Sequence, residues 1–308
     1  MRPARRSGVL PIERTLRLPR GRRWRLGRKP QVMGILNITP DSFSDGGLWL
    51  ERDRAVLHGL EMLDEGADLL DLGAESTRPG GGVYGDGAAT VPPEEEIARL
   101  LPVLDELRRR TERPLSVDTR KGAVARAALA AGADLINDVS LLSDPELADC
   151  VAEAGCPLIL MHSRGETASM QQGIRFEDLL GEVAAELGDA VDRAVAAGVE
   201  RSQILVDPGI GFGKTYDQNL ELLHHADAFA RSLELPVVLG ASRKSFIGHV
   251  TADDGAPPDP PRDRLAGSLA AVAWASSTGA AVVRVHDVAD TVRFLKVWHA
   301  IESSGAPR

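Results

Sequence analysis

Residues 205–214 read Leu-Val-Asp-Pro-Gly-Ile-Gly-Phe-Gly-Lys, a short apolar run that ends in Asp207 and breaks at once into a glycine-rich loop. Proline is barred from the interior of a sheet and glycine marks a turn, so Asp207 falls at the carboxyl end of a strand. The same figure recurs at SVDTRK (116–121), LINDVS (135–140), GASRKS (240–245) and VVRVHD (282–287). Polar groups converging from the carboxyl ends of several parallel strands make a pocket.

Outward from this stretch, short apolar runs alternate with longer helical ones, the pattern of a parallel α/β architecture. Strands are expected at 31–38, 68–73, 114–118, 135–139, 157–162, 204–207, 236–241 and 281–286. Helical runs include 52–65, 94–109, 122–131, 176–197, 218–232, 262–277 and 288–301. Eight strands close a (β/α)8 TIM barrel, whose reactive groups sit on the loops after the strand C-termini. EGADLLDL, AGADLINDV and TGAAVVRV repeat one helix-to-strand turn, each with a glycine at the helix C-terminus.

The chain has 308 residues, 43% hydrophobic and 26% charged, enough for one barrel-sized core. Residues 1–30 hold 11 Lys and Arg against one acid, which leaves 25 basic and 44 acidic residues of the chain's 36 and 45. The acidic body disfavours nucleic acid as a partner. Basic and apolar residues alternate at 14–18 and 24–26 around Pro19-Arg20-Gly21, which predicts an N-terminal β-hairpin extension after a disordered start over residues 1–12. The domain reading is a basic extension over 1–30 and a barrel over 31–303. No apolar run nears the roughly 20 residues that span a bilayer, and the N-terminus lacks the apolar core of a secretory signal. Cys150 and Cys156 have no His cluster nearby and read as core residues, so a cytoplasmic location without membrane attachment is expected.

The strand ends supply the candidate chemistry. After the first strand, LNITPDSFSDGG (36–47) is long for its place; Asn37 offers an amide oxygen to a hard cation or phosphate, and Phe43 either caps an aromatic ligand or packs inward. After the second, Thr77 and Arg78 in ESTRPG present a hydroxyl and a guanidinium suited to phosphate or carboxylate. Asp118, Asn137 and Asp207 end three strands; two carboxylates and a carboxamide suit a heterocycle rich in N–H donors, with a divalent metal or simple helix capping as competing uses. Lys244 follows the seventh strand, flanked by Ser242 and Arg243. Arg284 and His286, two apart on the eighth, face one side and suit an anionic leaving group. His58, His224, His225, His249 and His299 lie in helices or loops without evident partners; His162 ends the fifth strand and stays open.

LNITPDSFSDGG, ESTRPG, SVDT, INDVS, VDPGIGFGK, SRKSF, DRLAGS and RVHDV, in this order, resemble the dihydropteroate synthases from about residue 31 to 301. The resemblance implies a (β/α)8 barrel, usually homodimeric, that joins 6-hydroxymethyl-7,8-dihydropterin diphosphate to 4-aminobenzoate with the help of Mg²⁺. It implies pterin binding by Asp118, Asn137, Asp207 and Lys244, with Met161 packing on the ring. Asn37, Arg284 and His286 match the diphosphate set, with Asn37 also the metal ligand, and Asp118, Lys244 and Arg284 stabilise developing charge. Phe43, Thr77, Arg78, Pro79, Phe212 and Ser242 would surround the aminobenzoate, where sulfonamides bind in this family. The chain departs from the usual pattern in a longer loop at 80–93, in MHSRGETASMQ after the fifth strand, and in the Arg-rich extension. The other readings are a methyltetrahydrofolate:corrinoid methyltransferase, which needs no diphosphate site, and a non-catalytic pterin-binding relative.

Overall fold

The structure is a computed structural model and describes residues 12–38, 48–75, 91–165 and 173–304. Strands β1 (Arg14–Arg17) and β2 (Arg23–Leu26) pair antiparallel around a turn at Pro19–Gly21, where Arg20 takes a positive φ of 62°. Eight parallel strands follow: β3 (Gln31–Asn37), β4 (Leu69–Gly73), β5 (Leu115–Asp118), β6 (Leu135–Asp138), β7 (Leu158–Met161), β8 (Ile204–Asp207), β9 (Val238–Leu239) and β10 (Val282–Val285). They lie in the order β8-β7-β6-β5-β4-β3-β10-β9, and a bridge from Val206 to Val237 joins the two ends into a barrel. Both faces of each strand are covered, which is why the runs read as nearly unbroken apolar sequence.

Around the barrel stand α1 (Leu48–Glu65), α2 (Pro93–Arg110), α3 (Gly122–Ala131), α4 (Pro145–Ala154), α5 (Leu179–Ala196), α6 (Tyr216–His224), α7 (Ala226–Leu233), α8 (Ser245–Thr251), α9 (Leu265–Ser277) and α10 (Val288–Ser304). The expected helix at 218–232 is two. Thr215 and Gln218 form a capping box that starts α6, and His225 leaves helical geometry (φ −108°, ψ 24°) before α7 begins. α4 and α8 were not among the expected helices, and β9 pairs over two residues where six were expected. The repeated helix-to-strand turn is as read: Gly66, Gly132 and Gly279 all take positive φ.

The barrel interior changes character along its axis. At the amino ends of the strands Met33, Leu69, Leu135, Ile159, Leu205, Val238 and Val282 form one apolar layer, and Leu16, Leu18, Trp24 and Leu26 of the hairpin pack onto it as a plug. That packing accounts for the alternation of basic and apolar residues: the leucines and Trp24 face in, and Arg17, Arg23 and Arg25 face solvent. Gln203 covers the open edge of β1, accepting from the Arg17 N–H (3.0 Å) and donating to its carbonyl (2.7 Å). The fully buried Asp134 accepts from Arg20 (2.9 Å), Arg22 and Arg108 (2.8 Å) and ties the hairpin to α2 and β6. Ile12, expected with the disordered start, packs against the outer core between strands and helices.

Cys150 and Cys156 are buried and unpaired, and among the described residues no helix is long and apolar enough to cross a membrane. Because Leu16 is fully buried in the plug, Leu16→Ala is expected to lower unfolding free energy by about 2–5 kcal/mol in denaturant titration. A loss near zero would show that the hairpin is not seated on the barrel in solution.

Candidate active site

Successive strand residues point to opposite sides, so each strand end sends one polar group inward and the next into its loop. At LINDVS this separates two roles: Asn137 faces the barrel interior, while Asp138 turns back to accept from the Ser140 and Leu142 backbone N–H groups and shapes the loop. Asp118, Asn137, Met161, Asp207, Phe212, Lys244 and Arg284, from five strands and two loops, line one cavity at the carboxyl end of the barrel. Val139, Met161 and Phe212 form its apolar wall. Lys244 Nζ lies 4.0 Å from the centre of the Phe212 ring, a cation–π contact.

Arg284 occupies the floor of this cavity. Its Nε donates to Asp71 Oδ2 (2.6 Å) and its Nη2 to Asp118 Oδ2 (2.9 Å), and Asn137 Nδ2 donates to the same Asp71 oxygen (3.0 Å). Burial pushes Asp118 up to about 7, against the pull of Arg284 and with the help of Asp71. Burial likewise raises Asp207 to about 6, although its Oδ1 accepts from the Gly209 N–H at 2.8 Å, and lowers Lys244 to about 8 with Arg284 adding to the effect. For Arg284 burial works downward, but Asp71 and Asp118 prevail and its pKa is raised.

A second, more polar cavity is lined by Asn37, His58, Arg243 and His286 together with the acids Glu65, Asp287 and Asp290; it meets the first through chain neighbours, Arg243 beside Lys244 and His286 two positions after Arg284. Asn37 is exposed at the end of β3. Ser242 Oγ accepts from the His286 N–H (3.2 Å) and lies 3.2 Å from its Nδ1, which ties Ser242 to this chamber's wall. Burial, then Arg284 and Arg243, hold His286 down at about 3, so the ring is neutral and can donate one N–H. Arg284, grouped with Asn37 and His286 in the resemblance, lies in the deeper chamber with the carboxylates. Phe43, Thr77, Arg78 and Pro79 lie outside the described residues.

Two loops need buttresses that the sequence reading does not assign. In the loop after β8, Gly209 (φ 71°) passes so close to the end of β7 that a Cβ there would lie 1.7 Å from the His162 carbonyl oxygen. Lys214, fully buried, donates to the carbonyls of Gly209 (3.0 Å), Phe212 (2.9 Å) and His162 (3.3 Å) and meets His162 Nδ1 at 2.8 Å. Burial and Lys214 drive His162 far below its ordinary pKa, so the neutral ring accepts at Nδ1 and its Nε2–H faces Glu186 at 2.9 Å. In the loop after β9, Arg243 has a left-handed φ of 58°, unusual for a long side chain. Its N–H donates to Ser268 Oγ (2.9 Å), its carbonyl accepts from Arg264 (2.8 Å), and its guanidinium is held by Asp287 (3.0 Å). That is what DRLAGS does: it fixes the backbone that aims Lys244.

Asp71, Lys214, Arg264 and Ser268 are thus the site residues that sequence reasoning missed. Of them Lys214 closes a glycine-rich loop and Arg264 and Ser268 stand in DRLAGS, whereas Asp71 carries no signal. The remaining histidines also have company: His58 meets Glu61, His299 meets Glu302, His224 stacks on Trp274 and His249 on Tyr216. Lys214→Met strands three carbonyls at once and is expected to cost on the order of 3 kcal/mol of stability by chemical denaturation. A cost under about 1 kcal/mol would mean that the loop does not depend on this ammonium.

Comparison with known proteins identifies the family. A family model described as pterin binding enzyme matches residues 33–286. The dihydropteroate synthase of Bacillus subtilis (strain 168) is 42% identical over 278 residues, which are 90% of this chain and 90% of that protein. The solved structure of Xanthomonas albilineans dihydropteroate synthase with 4-aminobenzoic acid superposes with a TM-score of 0.84 at 44% identity, covering 95% of this chain and all of that one (100%). The same enzyme in complex with 7,8-dihydropteroate gives 0.78 at 42% identity, covering 91% and 95%. Similarity at this level along nearly the whole of both chains means that the chain belongs to the pterin binding enzyme family and, within it, to the dihydropteroate synthases.

Proposed function

We propose the following division of labour for the condensation of 6-hydroxymethyl-7,8-dihydropterin diphosphate with 4-aminobenzoate to 7,8-dihydropteroate and diphosphate. The observation that carries it is the cavity bounded by Asp118, Asn137 and Asp207. Acceptors on three sides suit the N–H-rich edge of a dihydropterin, and Met161 and Phe212 supply the apolar face for its ring. Asp118, Lys244 and Arg284 are the catalytic set. The C–O bond to the diphosphate breaks with its electron pair leaving on oxygen, and the positive charge left on the pterin methylene spreads into the ring beside the carboxylates. The arylamine nitrogen then bonds to that carbon and sheds a proton to water. Positioning and charge stabilisation suffice, so no protein nucleophile is required.

Asn37, His286 and Arg284 take the diphosphate, a reading supported by the polar chamber that adjoins the pterin cavity. Arg284 and His286, two positions apart, also speak against a corrinoid methyltransferase, which has no anion to hold. Among the described residues no three acids, histidines or cysteines gather to hold a metal. A magnesium ion would fit nonetheless: it keeps several waters and binds largely through substrate phosphates, and the exposed Asn37 amide oxygen would be its protein ligand. When bound with the diphosphate it supplies Lewis-acid neutralisation of the leaving group. Phe43, Thr77, Arg78, Pro79, Phe212 and Ser242 are assigned to 4-aminobenzoate, the ligand named for the Xanthomonas albilineans structure, and the same pocket would take sulfonamides.

We further infer a cytoplasmic homodimer built on one barrel unit, residues 31–303, with 1–30 as its extension. The plug formed by the hairpin supports the latter. An apolar groove lined by Leu220, Phe246, Ile247, Val250, Ala271 and Trp274 supports the former, with Leu220, Val250 and Trp274 exposed on α6, α8 and α9.

Chromatographic detection of dihydropteroate, formed by the purified chain only when both substrates and Mg²⁺ are present, tests the reaction; pterin binding without turnover would overturn it. The site also predicts a pH profile. Carboxylates whose pKa is raised to about 7 and 6 lose their acceptor form as pH falls through those values, and Lys244 loses its charge above about 8. Affinity for 6-hydroxymethyl-7,8-dihydropterin, measured by calorimetry, is therefore expected to peak between about pH 7 and 8 and to weaken on both sides. A flat profile from pH 5.5 to 9 would remove these groups from the pterin contact.

A further inference from the structure

Asp71 lies in the middle of β4 within Leu-Leu-Asp-Leu-Gly, fully buried and opposite Ser116 of β5. A lone carboxylate at such depth needs partners. Its Oδ2 accepts from Arg284 Nε at 2.6 Å and from Asn137 Nδ2 at 3.0 Å, and its Oδ1 is buried with no partner among the described residues, as is Oδ1 of Asp118.

A guanidinium can only donate, so the oxygen that faces Arg284 is an acceptor. An amide that meets an acceptor must present its NH2, and the NH2 and the oxygen of Asn137 point to opposite sides of the amide carbon. The Asn137 oxygen is therefore turned away from Asp71, on the side of the cavity that Asn137 lines. Were the amide reversed, its NH2 would meet the N–H donors of the ligand and an oxygen would meet a carboxylate. Both contacts would be repulsive.

We propose that Asp71 is a positioning residue for pterin recognition: by holding the Asn137 NH2 and the Arg284 guanidinium on one oxygen, it turns Asn137 into an acceptor and keeps the cavity selective for a donor-rich ring. The role rests on the pterin-binding reading above. Asp71 itself lies beneath the residues that line the cavity and acts through them.

The test is a double-mutant cycle on the Kd for 6-hydroxymethyl-7,8-dihydropterin, with the KM for 4-aminobenzoate and the melting temperature read in parallel. Asp71→Asn removes the charge and puts in an amide that can present either its oxygen or its NH2, so Asn137 is no longer held one way round; the variant is expected to weaken pterin binding by about 10- to 100-fold, leaving the KM for 4-aminobenzoate within about 3-fold. The double variant Asp71→Asn/Asn137→Asp reverses donor and acceptor, keeps the total charge beside Arg284, and still presents an oxygen to the cavity. It is expected to recover affinity to within about 5-fold of the unaltered chain.

Equal affinity of Asp71→Asn and the unaltered chain would overturn the role, and so would a double variant no better than the single one. Should Asp71→Asn fail to fold, Asn137→Asp alone decides. Two carboxyls 3.0 Å apart, with Arg284, Asp118, Asp207 and Lys244 as the other charged groups around them, share a proton that mimics the amide. Its pterin affinity is then expected to fall as pH rises from 6 to 8, opposite to the unaltered chain; a parallel profile would overturn the proposal. Absence of pterin binding by the unaltered chain would remove the parent reading, and this role with it.

Discussion

A guanidinium buried on the floor of a barrel is the constraint from which the site follows. Arg284 cannot shed its proton, so the fold must supply carboxylates, and Asp71 and Asp118 come from two different strands to do so. Each of those acids would be costly alone at that depth, and Asp118 remains perturbed even with its partner. Three carboxyl groups, Asp71, Asp118 and Asp207, all buried, thus surround two partly buried cations, Arg284 and Lys244. Such an arrangement is poor for stability and suited to stabilising positive charge that develops on a bound ring.

The two ends of the barrel divide these demands. At the amino ends of the strands, where no chemistry occurs, the interior is apolar and the hairpin seals it, with Asp134 gathering three arginines at the rim. At the carboxyl ends the interior is polar and the loops hold the side chains in place. A well-packed base can offset a strained mouth, and the strain is visible: Arg243 keeps a left-handed backbone, worth roughly 1–2 kcal/mol, because Arg264, Ser268 and Asp287 hold its carbonyl, amide and side chain.

The eight strands and the acids at their ends were legible because each follows an apolar run and precedes a turn, as in Leu-Val-Asp-Pro-Gly. Asp71 was not. In a parallel strand buried on both faces, the two-residue period carries no contrast between inside and outside, so Leu-Leu-Asp-Leu-Gly shows neither which way the carboxylate points nor that Arg284, 213 residues away, meets it. Lys214 stood in plain view at the close of its glycine-rich loop, but its role did not, because its partners are mostly backbone carbonyls, which leave no mark in a sequence. The break between α6 and α7 at His225 has no proline or glycine to announce it, and α8, only seven residues long, reads as part of its loop.

β10 shows how one strand can serve both halves of the proposed reaction. Arg284 and His286, the latter just past the strand's end, are two positions apart, a rise of about 6–7 Å. That spacing puts Arg284 among the pterin-side carboxylates and His286 in the adjoining polar chamber with Asn37. In the proposed reading the C–O bond that breaks lies between the two chambers, so charge leaving one side is met by groups on the other without any side chain having to move. The neutrality of His286 fits this: a ring held down near 3 by burial, with Arg284 and Arg243 adding to it, gains basicity when an anion arrives beside it, which couples its charge to the leaving group.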